Sequence, residues 1–497
     1  MLGNYYTFPE LLLWIPLLMG VMVFFLKDSK TIKAFALVSS LITLVISVIS
    51  LRYTDMAHHP EYFAYNNVSY VWMPYLGASF SVGLDGMGFL LTFLTAFTFP
   101  LIFAATHKRE YANANVYYGL MLLTQAGITG VFVATDALVF YFFWELALIP
   151  MYFLCSRWGG EFRIRVTFKF FVYTFISSLL MLIGIMFIYL HTPAVSTLSD
   201  HSFYLKSFYN ATLTAAQQNG LFWLFFVAFA VKMPIFPFHS WQPDLYEQSP
   251  DSSVMVLSGI MVKMGIFGML RWLLPIFPDA VGKYQTLIII FCVIGILYGS
   301  CIAYVQSDLK RIVAWSSIAH IGLMGAAIFA RNNTSLQGVM LEMFNHGINI
   351  IALWIVVDIV EKKTGIRKIS DLGGLAIKSP ALSIFFLIIV LANIGLPLTN
   401  GFASEFLMFT GLFGYNVYLA AFACISIIIS AAYMLGMMQK VFFGVPNSYT
   451  ENVIDITKGQ KLILSIIVLT ILILGIYPGP LLHLTRDTIT QILQTIK

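Results

Sequence analysis

Seven ionisable residues lie inside strongly apolar segments of this 497-residue chain, where a charge is costly. On a translocon scale, a lysine at the centre of a membrane helix costs about 2.5–3.5 kcal/mol. Carboxylates, lysines and histidines can each take up and release a proton, so together they are the residue types of a proton relay. These types therefore favour proton transfer inside a membrane. The seven residues are Glu145, Lys232, Lys263, His320, Glu342, His346 and Glu405.

The spacing of these residues places them at similar depths in their segments. Glu145 lies nine residues past Asp136, about 13 Å along a helix. His320 likewise lies nine residues past Arg311. Taken singly, each has a structural explanation, since a membrane histidine often bonds between helices and a glutamate can pair with an arginine. Seven at one depth in a chain that is 59% hydrophobic instead favour a polar, hydrated line in the membrane plane.

Lys232 stands directly before a predicted helix break. The segment FAVKMPIFPFHSWQPD, residues 229–244, contains Pro234 and Pro237, and each proline disfavours the helical bond to the carbonyl four residues back. Unpaired backbone in a bilayer is tolerated only where protein or a water-filled cavity satisfies it. A proline kink with a snorkelling lysine is the structural alternative, but an ammonium beside a broken helix favours an ion-handling site. His239, in the same segment, is a secondary candidate.

The composition indicates an integral membrane protein. Charged residues make up 10% of the chain and the mean hydropathy is +0.85, whereas soluble domains carry about 25% charged residues. The basic residues are dispersed, which argues against a nucleic-acid surface, and the four cysteines have no metal-binding spacing. Windows of about 20 apolar residues predict an all-α polytopic fold with about fourteen transmembrane helices. These begin near Phe8, Thr31, Leu84, Asn115, Ala137, Thr167, Leu221, Ser253, Tyr284, Arg311, Ser335, Ala381, Val417 and Lys461.

Two of the predicted helices are interrupted. The seventh contains Pro234 and Pro237, and the twelfth contains PLTNG at residues 397–401, shortly before Glu405. The fourteenth is expected to end near Leu484, leaving a tail too short for another long helix. Connections after odd-numbered helices carry most of the Lys and Arg, so the positive-inside rule places both termini on the periplasmic or intermembrane side. The predicted location is a bacterial inner (plasma) membrane, with the mitochondrial inner membrane as the alternative.

Long motifs give the chain a resemblance to a known family. They include FYFFWELALIPMYFL at residues 140–154, GIMVKMGIFGMLR at 259–271, SDLKRIVAWSSIAHIG at 307–322 and NIGLPLTNGFASEF at 393–406. With these motifs the chain resembles the antiporter-type subunits of respiratory complex I, the proton-translocating NADH:quinone oxidoreductase. The resemblance covers nearly the whole sequence.

The resemblance implies a particular architecture. In this family, two five-helix repeats have inverted topology, and each repeat contains one broken helix. The implied domains are residues 1–111 for helices 1–3, 112–273 for the first repeat with helices 4–8, 274–444 for the second repeat with helices 9–13, and 445–497 for helix 14.

The resemblance also implies roles for individual residues. Glu145 and Lys232 match the family's glutamate–lysine pair, and Lys263 matches its connecting lysine. His320 and His346 match its central histidines. The implied proton route loads near Lys263 and His320 from the cytoplasmic or matrix side and leaves near Glu405.

Glu405 matches the exit-side charge and distinguishes branches of the family. This position is usually lysine in subunits L and N and in multisubunit cation/proton antiporters, but glutamate in subunit M and mitochondrial NADH dehydrogenase subunit 4. The resemblance is therefore to the subunit M branch. Two acids fit less closely: Glu342 lies outside the family motif, as an extra acid or a partner of His346, and Asp85 fits a helix cap at least as well as a relay role.

The leading hypothesis is a proton-translocating membrane-arm subunit of this oxidoreductase, driven by quinone reduction elsewhere in the complex. The chain itself is expected to hold no cofactor and no metal, with NADH, FMN, iron–sulfur clusters and quinone in other subunits. The expected partners are other complex I subunits, especially the antiporter-like subunits L and N, and membrane lipids. The alternatives are a subunit of a multisubunit cation/proton antiporter and a subunit of an energy-conserving hydrogenase-type complex or of a quinone oxidoreductase with another electron donor. No motif supports a self-contained enzyme.

Overall fold

The computed structural model describes residues 7–51, 67–193 and 200–496. These residues form nineteen α-helices and one two-stranded antiparallel sheet, with no sheet core among them. Eleven of the described helices are long and apolar enough to cross a membrane. The all-α polytopic fold predicted from the sequence is therefore confirmed.

The elements follow one another along the chain with these bounds: α1 (Phe8–Val23), α2 (Ser29–Leu51), β1 (Val68–Met73), β2 (Ala78–Val82), α3 (Gly86–Thr106), α4 (Ala114–Val133), α5 (Ala137–Trp158), α6 (Arg163–Tyr189), α7 (Leu205–Tyr209), α8 (Ala215–Lys232), α9 (Gln242–Gln248), α10 (Asp251–Ile276), α11 (Pro278–Val305), α12 (Leu309–Phe329), α13 (Asn333–Thr364), α14 (Leu375–Lys378), α15 (Pro380–Ile394), α16 (Asn400–Tyr415), α17 (Val417–Phe442), α18 (Lys458–Ile476) and α19 (Gly479–Thr495).

Fewer helices meet the length and hydropathy criteria for a membrane span than the sequence predicted. Helices α1 and α15 are apolar but contain only 16 and 15 residues. Helix α8 has 18 residues, and it begins with the polar sequence AAQQNG. Within the described ranges, eleven helices rather than fourteen therefore meet both criteria for a span.

The end of the chain differs from the sequence prediction. We expected the last span to continue to about Leu484, but α18 ends at Ile476 and a separate helix, α19, follows Pro478. Proline cannot continue the helical bonding of the preceding turn, which separates the two helices. In α19 the buried residues recur every three to four positions, so the helix packs one face inward. These buried residues are Thr485, Thr488, Ile489 and Ile492.

By packing, the described chain divides into two units. The first contains residues up to Met233, Ile260–Tyr284 and the chain from His483, and the second contains Pro234–Gly259 and Gln285–Leu482. Each unit carries its own set of ionisable residues from the predicted relay. The first unit holds Glu145, Lys232 and Lys263, and the second holds His239, His320, Glu342, His346 and Glu405.

Both predicted helix breaks are present. Helix α8 ends at Lys232, and regular helix resumes only at Gln242. Helix α15 ends at Ile394 and is followed by Gly395, whose φ of +75° is a left-handed conformation that favours glycine. Helix α16 then begins at Asn400. The breaks leave an ionisable residue beside each interrupted helix end.

Candidate functional site

In the first unit, Lys232 is a buried cation at the end of α8. Lys232 is 2% exposed, and its Nζ has no hydrogen-bond partner among the described residues. The ammonium lies 5.3 Å from the centre of the Trp144 ring, within cation–π range. Glu145, the residue after Trp144, is close enough to interact electrostatically with Lys232. The structure thus brings the predicted acid and lysine close enough for their charges to interact.

Glu145 is positioned by its helix and by one neighbouring helix. Asp136 caps the start of α5 by accepting hydrogen bonds from the N–H groups of Leu138 and Val139. Glu145 is therefore the ninth residue of a 22-residue helix, well inside it. Ser178 of α6 lies beside the Glu145 carboxylate. Neither Ser178 nor Trp144 was predicted, although Trp144 directly precedes the acid in the sequence.

Lys263 is the third ionisable residue of the first unit. It is fully buried, and it lies in α10 between two π-helical segments, Leu257–Met261 and Met269–Leu273. Such segments are rare and often mark functional sites. This part of α10 packs closely against the end of α8. A Cβ on Gly265 would lie only 2.7 Å from the Phe229 carbonyl oxygen.

In the second unit, one histidine lies between two carboxylates. His320 Nδ1 of α12 is 3.4 Å from Glu405 Oε1 of α16 and 3.9 Å from Glu342 Oε1 of α13. The His346 ring lies 5.6 Å from the His320 ring, centre to centre. The consecutive helices α12 and α13 and the later helix α16 therefore bring four predicted residues together. We call His320, Glu342 and Glu405 the central triad.

Hydrogen bonds between α13 and α16 hold one side of the triad. The Ser404 hydroxyl donates to Glu342 Oε2 at 2.6 Å. The Asn345 amide donates to the Asn400 carbonyl oxygen at 2.8 Å and to Ser404 Oγ at 3.2 Å. Because Asn400 is the first residue of α16, these bonds fix the restarted helix against α13. Neither Asn345 nor Ser404 was predicted, although each lies next to a predicted residue.

Glu405 has a second, more open side. Its Oε2 is 2.7 Å from the position that a Cβ would occupy on Gly395, so any larger residue at Gly395 would collide with the carboxylate. The same carboxylate lines a cavity of about 520 Å³, whose other walls include Phe402 and Phe406 of α16 and Cys424 of α17. Glu405 is therefore the triad member that faces an open space.

His239 lies in the first break, apart from this geometry. It is 6% exposed, and its ring lies 5.5 Å from the Phe236 ring and 5.6 Å from the Trp315 ring. Both of these neighbours are aromatic.

Comparison with known proteins agrees with this arrangement. The profile of the family described as "NADH:quinone oxidoreductase/Mrp antiporter, TM" matches residues 134–430, more than half of the chain. NADH-quinone oxidoreductase subunit M of Rhodobacter capsulatus is 35% identical over 474 residues, which cover 94% of this chain and 91% of that relative. The chain belongs to the NADH:quinone oxidoreductase/Mrp antiporter membrane family. The resemblance drawn from the motifs is confirmed.

Two further similar proteins extend the comparison. F(420)H(2) dehydrogenase subunit M of Methanosarcina mazei is 35% identical over 482 residues, covering 96% of each chain. A chain in the structure of respiratory complex I from Thermus thermophilus superposes with a TM-score of 0.88 at 26% identity, covering 98% of this chain and 99% of that one. The antiporter-like fold implied by the motifs is confirmed.

Proposed function

We propose that this chain is a proton-translocating membrane-arm subunit of an NADH:quinone oxidoreductase-type complex, and that its buried acids, lysines and histidines carry the protons. The central triad is the observation that carries the proposal, with His320 Nδ1 3.4 Å from Glu405 Oε1 and 3.9 Å from Glu342 Oε1. Imidazole can accept a proton from one carboxyl group and give it to another. A largely buried histidine whose Nδ1 faces two acids is suited to that exchange.

Transfer within the triad needs only small movements. A proton passes readily when its donor and acceptor reach hydrogen-bond distance, about 2.7–3.0 Å. The 3.4 Å between His320 Nδ1 and Glu405 Oε1 therefore has to close by about half an ångström. Glu405 is also the triad member that lines the cavity. We assign Glu405 the release role.

In the first unit, Glu145 and Lys232 form the switch. The buried ammonium has no described hydrogen-bond partner, so the Glu145 charge and the Trp144 ring are what favour its protonated state. Movement or protonation of Glu145 removes one of these two attractions and promotes proton release from Lys232. Moving a proton against about 170 mV costs about 4 kcal/mol, at about 2.3 kcal/mol per 100 mV. Moving a carboxylate in a low-dielectric site changes energies by that amount.

The remaining relay groups have two origins. Lys263 and His346 follow from the family match, whereas Glu342 is included for its place in the central triad and His239 for its place in the first helix break. The electrons would pass through other subunits, which would hold FMN, iron–sulfur clusters, NADH and quinone. We expect antiporter-like subunits L and N as neighbours, a bacterial inner membrane as the location, and both termini on the periplasmic side. The two inverted repeats would be residues 112–273 and 274–444.

A second candidate differs only in the electron donor. F(420)H(2) dehydrogenase subunit M is as similar to this chain as the Rhodobacter relative is, at 35% identity each. The chain could therefore serve a quinone-reducing or related complex that oxidises a donor other than NADH. The cation/proton antiporter alternative fits less well, because Glu405 occupies a position that is usually lysine there. Subunit composition of the purified complex, including its flavin and iron–sulfur content, decides between the three.

Alanine substitutions at the proposed switch test the function. In the assembled complex reconstituted in vesicles, Glu145→Ala and Lys232→Ala should each reduce proton pumping and coupled oxidoreductase activity at least several-fold. Lys206→Ala is the matched control, since this lysine is exposed on the short helix α7, and it should behave as wild type. Full pumping in a correctly assembled Glu145→Ala complex would refute the switch.

A further inference from the structure

The central triad has the composition of a metal-binding site. Its three ligand atoms, one imidazole nitrogen and two carboxylate oxygens, all lie within 4.8 Å of one another. They come from His320, Glu342 and Glu405, three residues that are far apart in the sequence, so no spacing motif announces them. We propose that the triad binds a divalent transition-metal ion of the Zn²⁺ class, and that the bound ion blocks the proton route.

The distances suit a zinc ion after a modest contraction. Zinc binds imidazole nitrogen at about 2.0–2.1 Å and carboxylate oxygen at about 2.0–2.2 Å, so two ligands of one ion lie about 3.4 Å apart in a tetrahedron. His320 Nδ1 is already 3.4 Å from Glu405 Oε1 and 3.9 Å from Glu342 Oε1. Three protein ligands leave a fourth position for water.

The charge and the number of ligands also favour this class of ion. Two ionised carboxylates beside a neutral imidazole give a charge of −2, which a divalent cation neutralises. Calcium takes 6–8 oxygen ligands, and magnesium needs an octahedral shell. Imidazole, by contrast, suits zinc and related metals. Three ligands with one nitrogen among them therefore discriminate against Ca²⁺ and Mg²⁺.

A second layer of polar groups supports the ligands. The Ser404 hydroxyl donates 2.6 Å to Glu342 Oε2, which leaves Oε1 turned toward His320. The Asn393 side chain lies beside the His320 ring. Asn393 is 2% exposed, and its Oδ1 has no hydrogen-bond partner among the described residues. An acceptor beside a metal-bound histidine is the usual means of orienting the ring, through its other N–H.

Access and competition with protons complete the argument. Glu405 lines the 520 Å³ cavity, so the triad is not sealed by protein on that side. Zinc binds the neutral imidazole and the ionised carboxylates, and therefore displaces the protons that the triad would otherwise carry. Binding should tighten as the pH rises. Metal binding itself does not depend on the proposed function, whereas the inhibition of pumping rests on it.

The test uses the purified intact complex and Zn²⁺ alone. Density or anomalous signal from a zinc-treated sample should show the ion about 2 Å from His320 Nδ1, and elemental analysis should show one zinc per complex more than in Glu405→Gln or Glu342→Gln. Ser404→Ala, which keeps all three ligands, should weaken binding about 10–100-fold. His107→Gln removes an exposed histidine and should bind zinc as wild type does.

The outcomes separate the two ideas. Equal zinc content in wild type and both glutamine variants, or zinc density only at other sites, would overturn the metal site. Glu405→Lys covers the case in which a glutamine variant fails to assemble, since a lysine ammonium at the triad should also exclude zinc. If zinc occupies the triad while pumping continues unchanged, the metal site stands and the route through the triad fails. If zinc is absent from the triad while Glu405→Gln lowers pumping, the proton route through the triad stands and the metal site fails.

Discussion

The Ser404 hydroxyl donates a 2.6 Å hydrogen bond to Glu342 Oε2, and this bond sets which oxygen of that carboxylate faces His320. The two residues lie 62 positions apart in the chain. Their bond crosses from the restarted helix α16 to the continuous helix α13. The broken helix therefore places one relay acid, Glu405, and orients another, Glu342, through adjacent residues.

Ser404→Ala should misorient Glu342 while leaving all titratable relay groups present. We expect proton pumping to fall several-fold and the pH profile of coupled activity to shift. The reason is that loss of the hydrogen bond changes the orientation of the Glu342 carboxylate toward His320. Ser404→Thr retains the hydroxyl and should recover most of the activity. Activity and pH profile equal to wild type in the alanine variant would show that the bond is only a packing feature.

Glu405→Gln tests the release role at the cavity. The amide keeps the shape of the side chain but cannot release a proton, so the number of protons pumped per electron should decrease in vesicles. Glu451→Gln removes an exposed glutamate in the connection before α18 and serves as the control. An unchanged proton-to-electron ratio in Glu405→Gln would mean that protons leave elsewhere.

Asp85 should contribute mainly to stability. It caps α3 through Gly88 N–H, forms a buried ion pair with Arg271, and accepts a 3.0 Å bond from the Thr488 hydroxyl. Breaking a buried pair by removing one partner costs about 3–5 kcal/mol. Asp85→Ala should therefore lower the unfolding temperature or the yield of assembled complex strongly, and Thr488→Val should do so weakly. Similar stability of both variants would contradict this ranking.

Asp136 gives a pH-dependent prediction. Burial raises the pKa of its carboxyl to about 6, although hydrogen bonds from the Ser79, Val139 and Leu138 N–H groups act in the opposite direction. The folded value thus lies above the unfolded value of about 3.9, so this group stabilises the fold at low pH and loses that contribution as the pH rises through about 6.

Asp136→Asn should remove that pH dependence. Asparagine caps helices about as well as aspartate and carries no charge to bury. We expect the variant to melt at a higher temperature than wild type at pH 7–8, and the difference to shrink below pH 6. Melting curves of the solubilised complex at pH 5 and pH 8 give the comparison, and a constant difference at both values would count against the assignment.

The sequence by itself determined the class of protein, the two helix breaks and the residue types of the relay. Hydropathy, proline position and spacing along a helix are local properties, so they locate Lys232 at a broken end and Glu145 well inside a span. The long motifs determined the family. The same local information placed the end of the last span too late. Helix α18 ends at Ile476, and α19 is a separate helix because Pro478 interrupts the chain and one face of α19 is buried.

Only the tertiary structure decided which residues meet. Spacing along a helix gives depth but not the direction in which a side chain points or the helix that it faces. His320 therefore could not be assigned to Glu342 and Glu405 from the sequence, nor could Trp144 be placed against Lys232. Ser404 and Asn345 went unnoticed for the same reason, since an uncharged polar residue gains a function only from the partner that packing brings to it.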